Sequence, residues 1–221
     1  VQAAVDAVQA EWTRLRSIPR EGGKKGCWDE SAVRERADVM AEARRTGVTI
    51  HIGDVVLIVV EKNAELDENN KLRKYKGRVV FRGDQVKDEN WEAAMFQELS
   101  SSPATMEASK CADAYGLIEN HAIMIADADQ AYTQSEFQGT PTWVRLPREQ
   151  WPKAWENQGF RDPVCPLRLS LYGHPESGAY WEQHCEGHVL SKGFIRCSPW
   201  RSCYFHTKLK LFLIIYVDDF K

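Results

Sequence analysis

"LFLIIYVDDFK", residues 211–221, sets an apolar run, Leu211 to Val217, directly against two adjacent carboxylates, Asp218 and Asp219. The run is too short to span a membrane and has the length of a buried strand. Some 90 residues earlier, "HAIMIAD" (121–127) also reads as a strand that ends on an acid, Asp127, with Asp129 just beyond it. Like charges held close together need a cation or a raised pKa. Hard oxygen donors of this type suit magnesium, which is typically held by a few carboxylates and completed by substrate phosphates and water. Two such ions can activate an attacking hydroxyl and neutralise a leaving pyrophosphate. Because Asp is a common turn residue, a plain turn between two strands is the alternative reading of Asp218 and Asp219.

Around these acids the chain reads as mixed α and β. Its 221 residues are 43% hydrophobic and 10% aromatic, enough to build a core. The net charge of −3 advertises no polyanion partner, so any nucleic-acid surface has to be local. Val1, Val5, Val8, Trp12 and Leu15 form a helical stripe that ends before Pro19. "REGGKKGCWDE" (20–30) lacks the full phosphate-loop pattern and reads as a flexible basic connector, followed by a helix over about Glu30–Arg45 that stops at Gly47.

From Thr49, "VTIHIGDVVLIVVEKN" and "KLRKYKGRVVFRGD" read as a hairpin around a polar connection. On its second strand Lys74, Lys76, Arg78 and Arg82 share one face, while Tyr75, Val79 and Phe81 take the other. Short helices are expected over Asn90–Leu99 and from Ser102, as N-cap, to Gly116; another is expected over about Ser177–Lys192, capped by Gly193. Strands are expected at "TPTWVRLP", up to Gly173, near Cys203–His206 and over Leu211–Val217. This mixture implies an α+β fold on an antiparallel sheet.

Taken in order, four segments resemble the copia-type LTR retrotransposon reverse transcriptases. "IIYVDD" is similar to their YxDD signature, and "DADQAY" (Asp127 to Tyr132) to their first metal motif. "KYKGRVVFRG" is similar to their basic fingers strand and "VCPLRLSLYGHPESGAYW" to their SLYG region. The resemblance implies a reverse-transcriptase fingers and palm, with an antiparallel palm sheet packed on helices and truncated before the thumb. It puts N-terminal helices and fingers over about 1–115 and mainly palm over about 116–221.

The resemblance also implies roles. Asp127, Asp218 and Asp219 become the catalytic ligands of two Mg2+ ions, with Mn2+ as a possible substitute. Lys76, Arg78 and Tyr132 become dNTP-binding residues, Tyr132 as the sugar-gating aromatic. Tyr216 and the segment Ser170, Leu171, Tyr172, Gly173 become primer and template contacts. The implied partners are an RNA template, a DNA or RNA primer, dNTPs and the rest of a Pol polyprotein (thumb, RNase H, integrase), with no membrane.

Glu176 and Asp129 depart from the family pattern by adding negative charge near the metals. The alternative is a catalytically inactive relic that folds or binds nucleic acid without polymerising. A DxD glycosyltransferase reading of Asp127-Ala128-Asp129 leaves YVDD and SLYG unexplained. Zinc at His184, Cys185, His188, Cys197 and Cys203 lacks knuckle spacing; Trp181, Cys185, His188 and Val189 read instead as a packed helix face. Trp12, Trp28, Trp91 and Trp143 read as core or interface residues. The chain opens on Val1 and is expected to be a fragment cut in the turn of a catalytic hairpin, lacking the strand that returns. Six scattered cysteines and no signal-peptide pattern point to an intracellular location, cytoplasmic in a virus-like particle or nuclear.

Overall fold

The computed structural model describes residues 2–96, 103–198 and 200–221. In chain order the elements are α1 (Gln2–Ser17), β1 (Arg34–Glu35), α2 (Arg36–Thr46), β2 (His51–Lys62), β3 (Lys74–Phe81), α3 (Met106–Gly116) and β4 (Ala126–Asp127). Then follow β5 (Thr142–Arg145), α4 (Lys153–Asn157), β6 (Pro163–Pro166), α5 (Ser177–Ser191), β7 (Ile195–Arg196), β8 (Cys203–His206), β9 (Leu211–Tyr216) and β10 (Asp219–Phe220). The fold is α+β and forms two compact units, Val1–Phe96 with Glu136–Ser177, and Gln97–Ser135 with Gly178–Lys221.

The first unit is built on a five-stranded sheet in the order β1-β6-β5-β2-β3. One pairing departs from the expected antiparallel sheet: β2 runs parallel to β5, His51 opposite Thr142 through Asp54 opposite Arg145. The β2–β3 hairpin forms as its alternation predicts, with Val79 and Phe81 buried and Lys74, Lys76 and Arg78 exposed. Tyr75 is the exception on the buried face and stays exposed. Helix α1 lies on β3, where Gly77 has no side chain; a Cβ there would stand 2.8 Å from the Ala7 carbonyl oxygen. Trp12 and Leu15 from α1 join Trp28, Val79, Phe81 and Leu171 in one core.

Three expectations in this unit are corrected. The basic loop is no free connector: Gly26 N donates to Ile18 O at 2.8 Å and Arg20 N to Lys24 O at 2.8 Å, folding residues 18–26 back on themselves. Helix α2 starts at Arg36, not near Glu30. Asp29 instead caps a single 3-10 turn by accepting from Ser31 N, and Arg34 and Glu35 are drawn into the sheet opposite Val164 and Pro163. Over the described part of Asn90–Leu99, residues 90–96, there is no helix. The Asp88 carboxylate accepts from Asn90 N at 2.8 Å and Glu92 N at 2.9 Å, so side-chain bonds replace the helical ladder. Trp91 turns at φ 68 and is 46% exposed, not a core residue.

The second unit carries an antiparallel sheet in the order β4-β10-β9-β8-β7. Adjacent residues of β9 point to opposite faces, so Ile214 meets Ala108 and Ala112 of α3, while Ile215 meets Trp181, Cys185 and Val189 of α5. Thr105, not Ser102, caps α3, its hydroxyl accepting from Ala108 N at 3.3 Å; Ser102 lies outside the described residues. His188 is exposed and stacks edge-on with His184, centroids 4.6 Å apart, so it leaves the packed face.

The two acid-ending strands also differ from expectation. Of "HAIMIAD" only Ala126 and Asp127 pair, and Ile123, Met124 and Ile125 are exposed. The opening run of 211–217 is fully buried only at Ile214 and Ile215. Nor does the hairpin lack its return: β10 pairs back onto β9, with Asp219 opposite Tyr216 and Phe220 opposite Ile215.

Candidate carboxylate site

The turn that carries Asp218 is held from several sides. Val217 sits at φ 58, a left-handed conformation costly for a β-branched residue. Its carbonyl accepts the Trp181 indole N–H from α5 at 2.7 Å. The Asp218 carbonyl accepts Ala128 N at 2.6 Å, which ties the turn to the segment that follows β4. Ile214 and Lys221 exchange backbone bonds at 2.8 and 2.9 Å and close the hairpin below.

These bonds set the register. Asp219 lies directly opposite Asp127 and Phe220 opposite Ala126, in an antiparallel pair. Side chains of directly opposed residues share one face, with Cβ atoms about 4.5–5.5 Å apart. Two acids far apart in sequence thus become cross-strand neighbours, with Asp218 next in the chain. Asp127 and Asp219 are exposed and Asp218 half-buried, so each can reach solvent or a ligand.

Tyr132 belongs to the 3-10 turn Ala131–Gln134 and packs half-buried against the α5 cluster. Burial raises the pKa of its phenol, and the nearby Asp218 charge raises it further. Tyr132 therefore stays neutral and within electrostatic reach of Asp218. Tyr216 is 56% exposed at the other side of the turn. Lys221 points its ammonium at Asp113 of α3, 2.5 Å away. A cavity of about 30 Å³ lies beside Tyr132, Trp181 and Val217, a space for water and not for a nucleotide.

Asp127, Tyr132, Tyr216, Asp218 and Asp219 all belong to the second unit. Lys76, Arg78 and Ser170 to Gly173 belong to the first. There Lys76 and Arg78 stand opposite Val60 and Ile58 on an exposed face of mixed apolar and basic character. Ser170 and Leu171 are fully buried core residues, which removes them from direct contact with a primer or template. Tyr172 is half-buried and Gly173 exposed. Gly173 adopts φ +87, and the carbonyl of the preceding residue, Tyr172, accepts Phe81 N at 2.7 Å. Glu176 is buried, its backbone N–H donating to His174 Nδ1 at 3.2 Å, so its charge does not face solvent.

Among the described residues no group of three or more His, Cys, Asp or Glu side chains is gathered closely enough to hold a metal ion unaided. The donor chemistry still suits a hard cation, since all three positions offer carboxylate oxygens and none offers sulfur or nitrogen.

Sequence reasoning missed two supports. Trp181 holds the acid-bearing turn through its indole, and no local spacing signals that. His51 and His174 are buried, each with one ring nitrogen lacking a hydrogen-bond partner, His174 among Phe81, Phe96 and Phe137. Among the described residues no helix is long and apolar enough to cross a membrane. No family model matches the chain, and no curated protein matches it.

Proposed function

We propose that the chain is a piece of a copia-type retrotransposon reverse transcriptase and performs RNA-directed DNA synthesis, joining a dNTP to a primer 3′-hydroxyl. The observation that carries this reading is the register that sets Asp127 opposite Asp219. The two motifs lie on directly paired strands although some 90 residues separate them in the chain, and this pairing supports a metal-dependent nucleotidyl transfer.

In this reading Asp127, Asp218 and Asp219 hold Mg2+, for which Mn2+ can substitute. When bound, the ions polarise the α-phosphate and favour the attacking alkoxide. The Tyr132 ring supports the sugar of the incoming nucleotide and disfavours a 2′-hydroxyl. Tyr216 lies beside the primer end. The bond from Trp181 to Val217 keeps the turn from swinging its acids away. The resemblance assigns Lys76 and Arg78 to the triphosphate. The RNA template, the primer and the rest of a Pol polyprotein are the partners, in the cytoplasm or the nucleus.

The test is primer extension on an RNA template with magnesium, comparing the wild-type chain with Asp218→Asn. The wild type is expected to extend and the variant to fall by about 100-fold or more, the loss typical when one electrostatic partner of the transition state is removed. Equal extension by both proteins overturns the metal assignment. A wild-type chain that binds primer–template yet never extends it supports the inactive relic instead.

A further inference from the structure

We infer that the loop Arg20–Lys25 is a binding site for the phosphodiester backbone of single-stranded RNA, separate from the carboxylate site. It rests on the nucleic-acid reading above for the identity of its ligand. The loop is a built structure. Pro19 and Lys25 form an antiparallel bridge, and the Arg20 guanidinium donates to the Lys25 carbonyl at 3.0 and 3.3 Å. Gly22, Gly23 and Gly26 supply left-handed φ values of 71°, 73° and 91°. At Gly26 a Cβ would meet the Trp28 carbonyl oxygen at 3.0 Å and that of Arg16 at 3.2 Å, so the loop's base needs glycine.

This fold opens a pocket of about 410 Å³ whose lining includes Arg16, Arg20, Lys24, Lys25, Asp29 and Glu30. Both acids already have partners. Glu30 accepts from Arg16 at 2.7 Å and from the Trp28 indole at 3.0 Å; Asp29 accepts from Ser31 and faces Arg168 at 3.6 Å. Arg16 is thereby neutralised; among the described residues Arg20, Lys24 and Lys25 make no ion pair, though the Arg20 charge also acts on Asp29 at longer range. Glu21 is exposed on the loop but does not line the pocket. Three cations on one folded loop that lines a single pocket match a ligand that repeats one negative charge per unit along a strand, and lysine serves such phosphates as a point charge.

The experiment is fluorescence anisotropy of a labelled single-stranded RNA with the full chain, without magnesium or dNTP, over a salt series. The variant is Arg20→Ala/Lys24→Ala/Lys25→Ala, and a matched control removes three exposed lysines elsewhere, Lys153, Lys192 and Lys208. Loss of three phosphate contacts is expected to flatten the log–log salt slope by about 2, at about 0.7 per contact, with the control within about 0.5 of wild type. Should Arg20→Ala disturb folding, Lys24→Ala/Lys25→Ala alone is expected to flatten it by about 1.4.

Equal losses in loop variant and control, or no loss in either, overturn the site. Displacement of the RNA by inorganic triphosphate or by poly-glutamate at equal charge concentration also overturns it, in favour of a free nucleotide or an acidic protein. Because binding is read without catalysis, a chain that binds through this loop but never extends a primer overturns only the polymerase reading.

Discussion

Replacing Gly173 with alanine tests how tightly the end of β3 is locked to the segment after β6. Two costs add. At φ +87 an L-residue costs roughly 1–2 kcal/mol. The new Cβ would stand 2.1 Å from the Phe81 carbonyl oxygen, which is backbone and cannot rotate aside. To regain ordinary contact one strand must retreat by roughly 1 Å. That retreat breaks the 2.7 Å bond from Phe81 N to Tyr172 O at a residue only 2% exposed, at a cost of about 1–3 kcal/mol for a buried donor left unpaired. The expected loss is about 3 kcal/mol.

Gly47→Ala is the matched control: φ is +67 but nothing lies within 4 Å of the added atom, so only the backbone cost of about 1 kcal/mol applies. Urea unfolding followed by tryptophan fluorescence measures both, and native-state hydrogen exchange at the Phe81 amide reads the local bond. If the two variants agree within about 0.5 kcal/mol, or Phe81 keeps its wild-type protection in Gly173→Ala, the steric argument is wrong.

Two further outcomes are expected. Asp127→Asn relieves the like-charge pair opposite Asp219, so it should raise stability by a few tenths of a kcal/mol while abolishing primer extension; a thermal melt and an extension assay on one preparation check the opposed signs. His174 is held down to about 3, first by burial and then by His51. Its folded pKa lies below the unfolded value near 6.5, so its contribution to stability is intact above pH 6.5 and is lost as the pH falls toward 3, at up to about 1.4 kcal/mol per pH unit. His174→Phe should lower the proton uptake on unfolding between pH 6 and 4 by about one, measured as the pH dependence of urea stability; an unchanged slope refutes this.

What the sequence made legible follows from which forces are local. The β2–β3 hairpin could be read because alternation alone fixes its faces, and α1 because Trp12 and Leu15 recur at helical spacing and both bury. The strand expected over "HAIMIAD" failed for the opposite reason. Alternation names a face but supplies no partner, and only Ala126 and Asp127 find one in β10. Ile123 turns instead onto Gly116, where its Cγ1 lies 2.2 Å from the place a Cβ would occupy. At Asn90–Phe96 helical pattern lost to the Asp88 carboxylate, a competition decided by a single side chain.

The three acids were legible as candidates, since like charges held close together at the end of an apolar run need a cation or a raised pKa. Their register was not, because it depends on Ala128 N reaching Asp218 O and on Trp181 reaching Val217. Ser170 and Leu171 show the limit of a motif: a segment read as lining a pocket proves to be core, and only Tyr172 and Gly173 within it are open to solvent.

The parallel pairing of β2 with β5 has a consequence for synthesis on the ribosome. Residues 51–54 must wait for residues 142–145 before that edge of β2 is satisfied, and the intervening 97–135 belong to the other unit. The first unit is discontinuous, so its core cannot close until about residue 177 has emerged. At roughly 5–20 residues per second the nascent chain carries an unpaired β2 edge over His51–Asp54 for several seconds. Pairings between such distant segments also form slowly, which makes this interval the one in which the open edge of β2 is exposed to pairing with another chain.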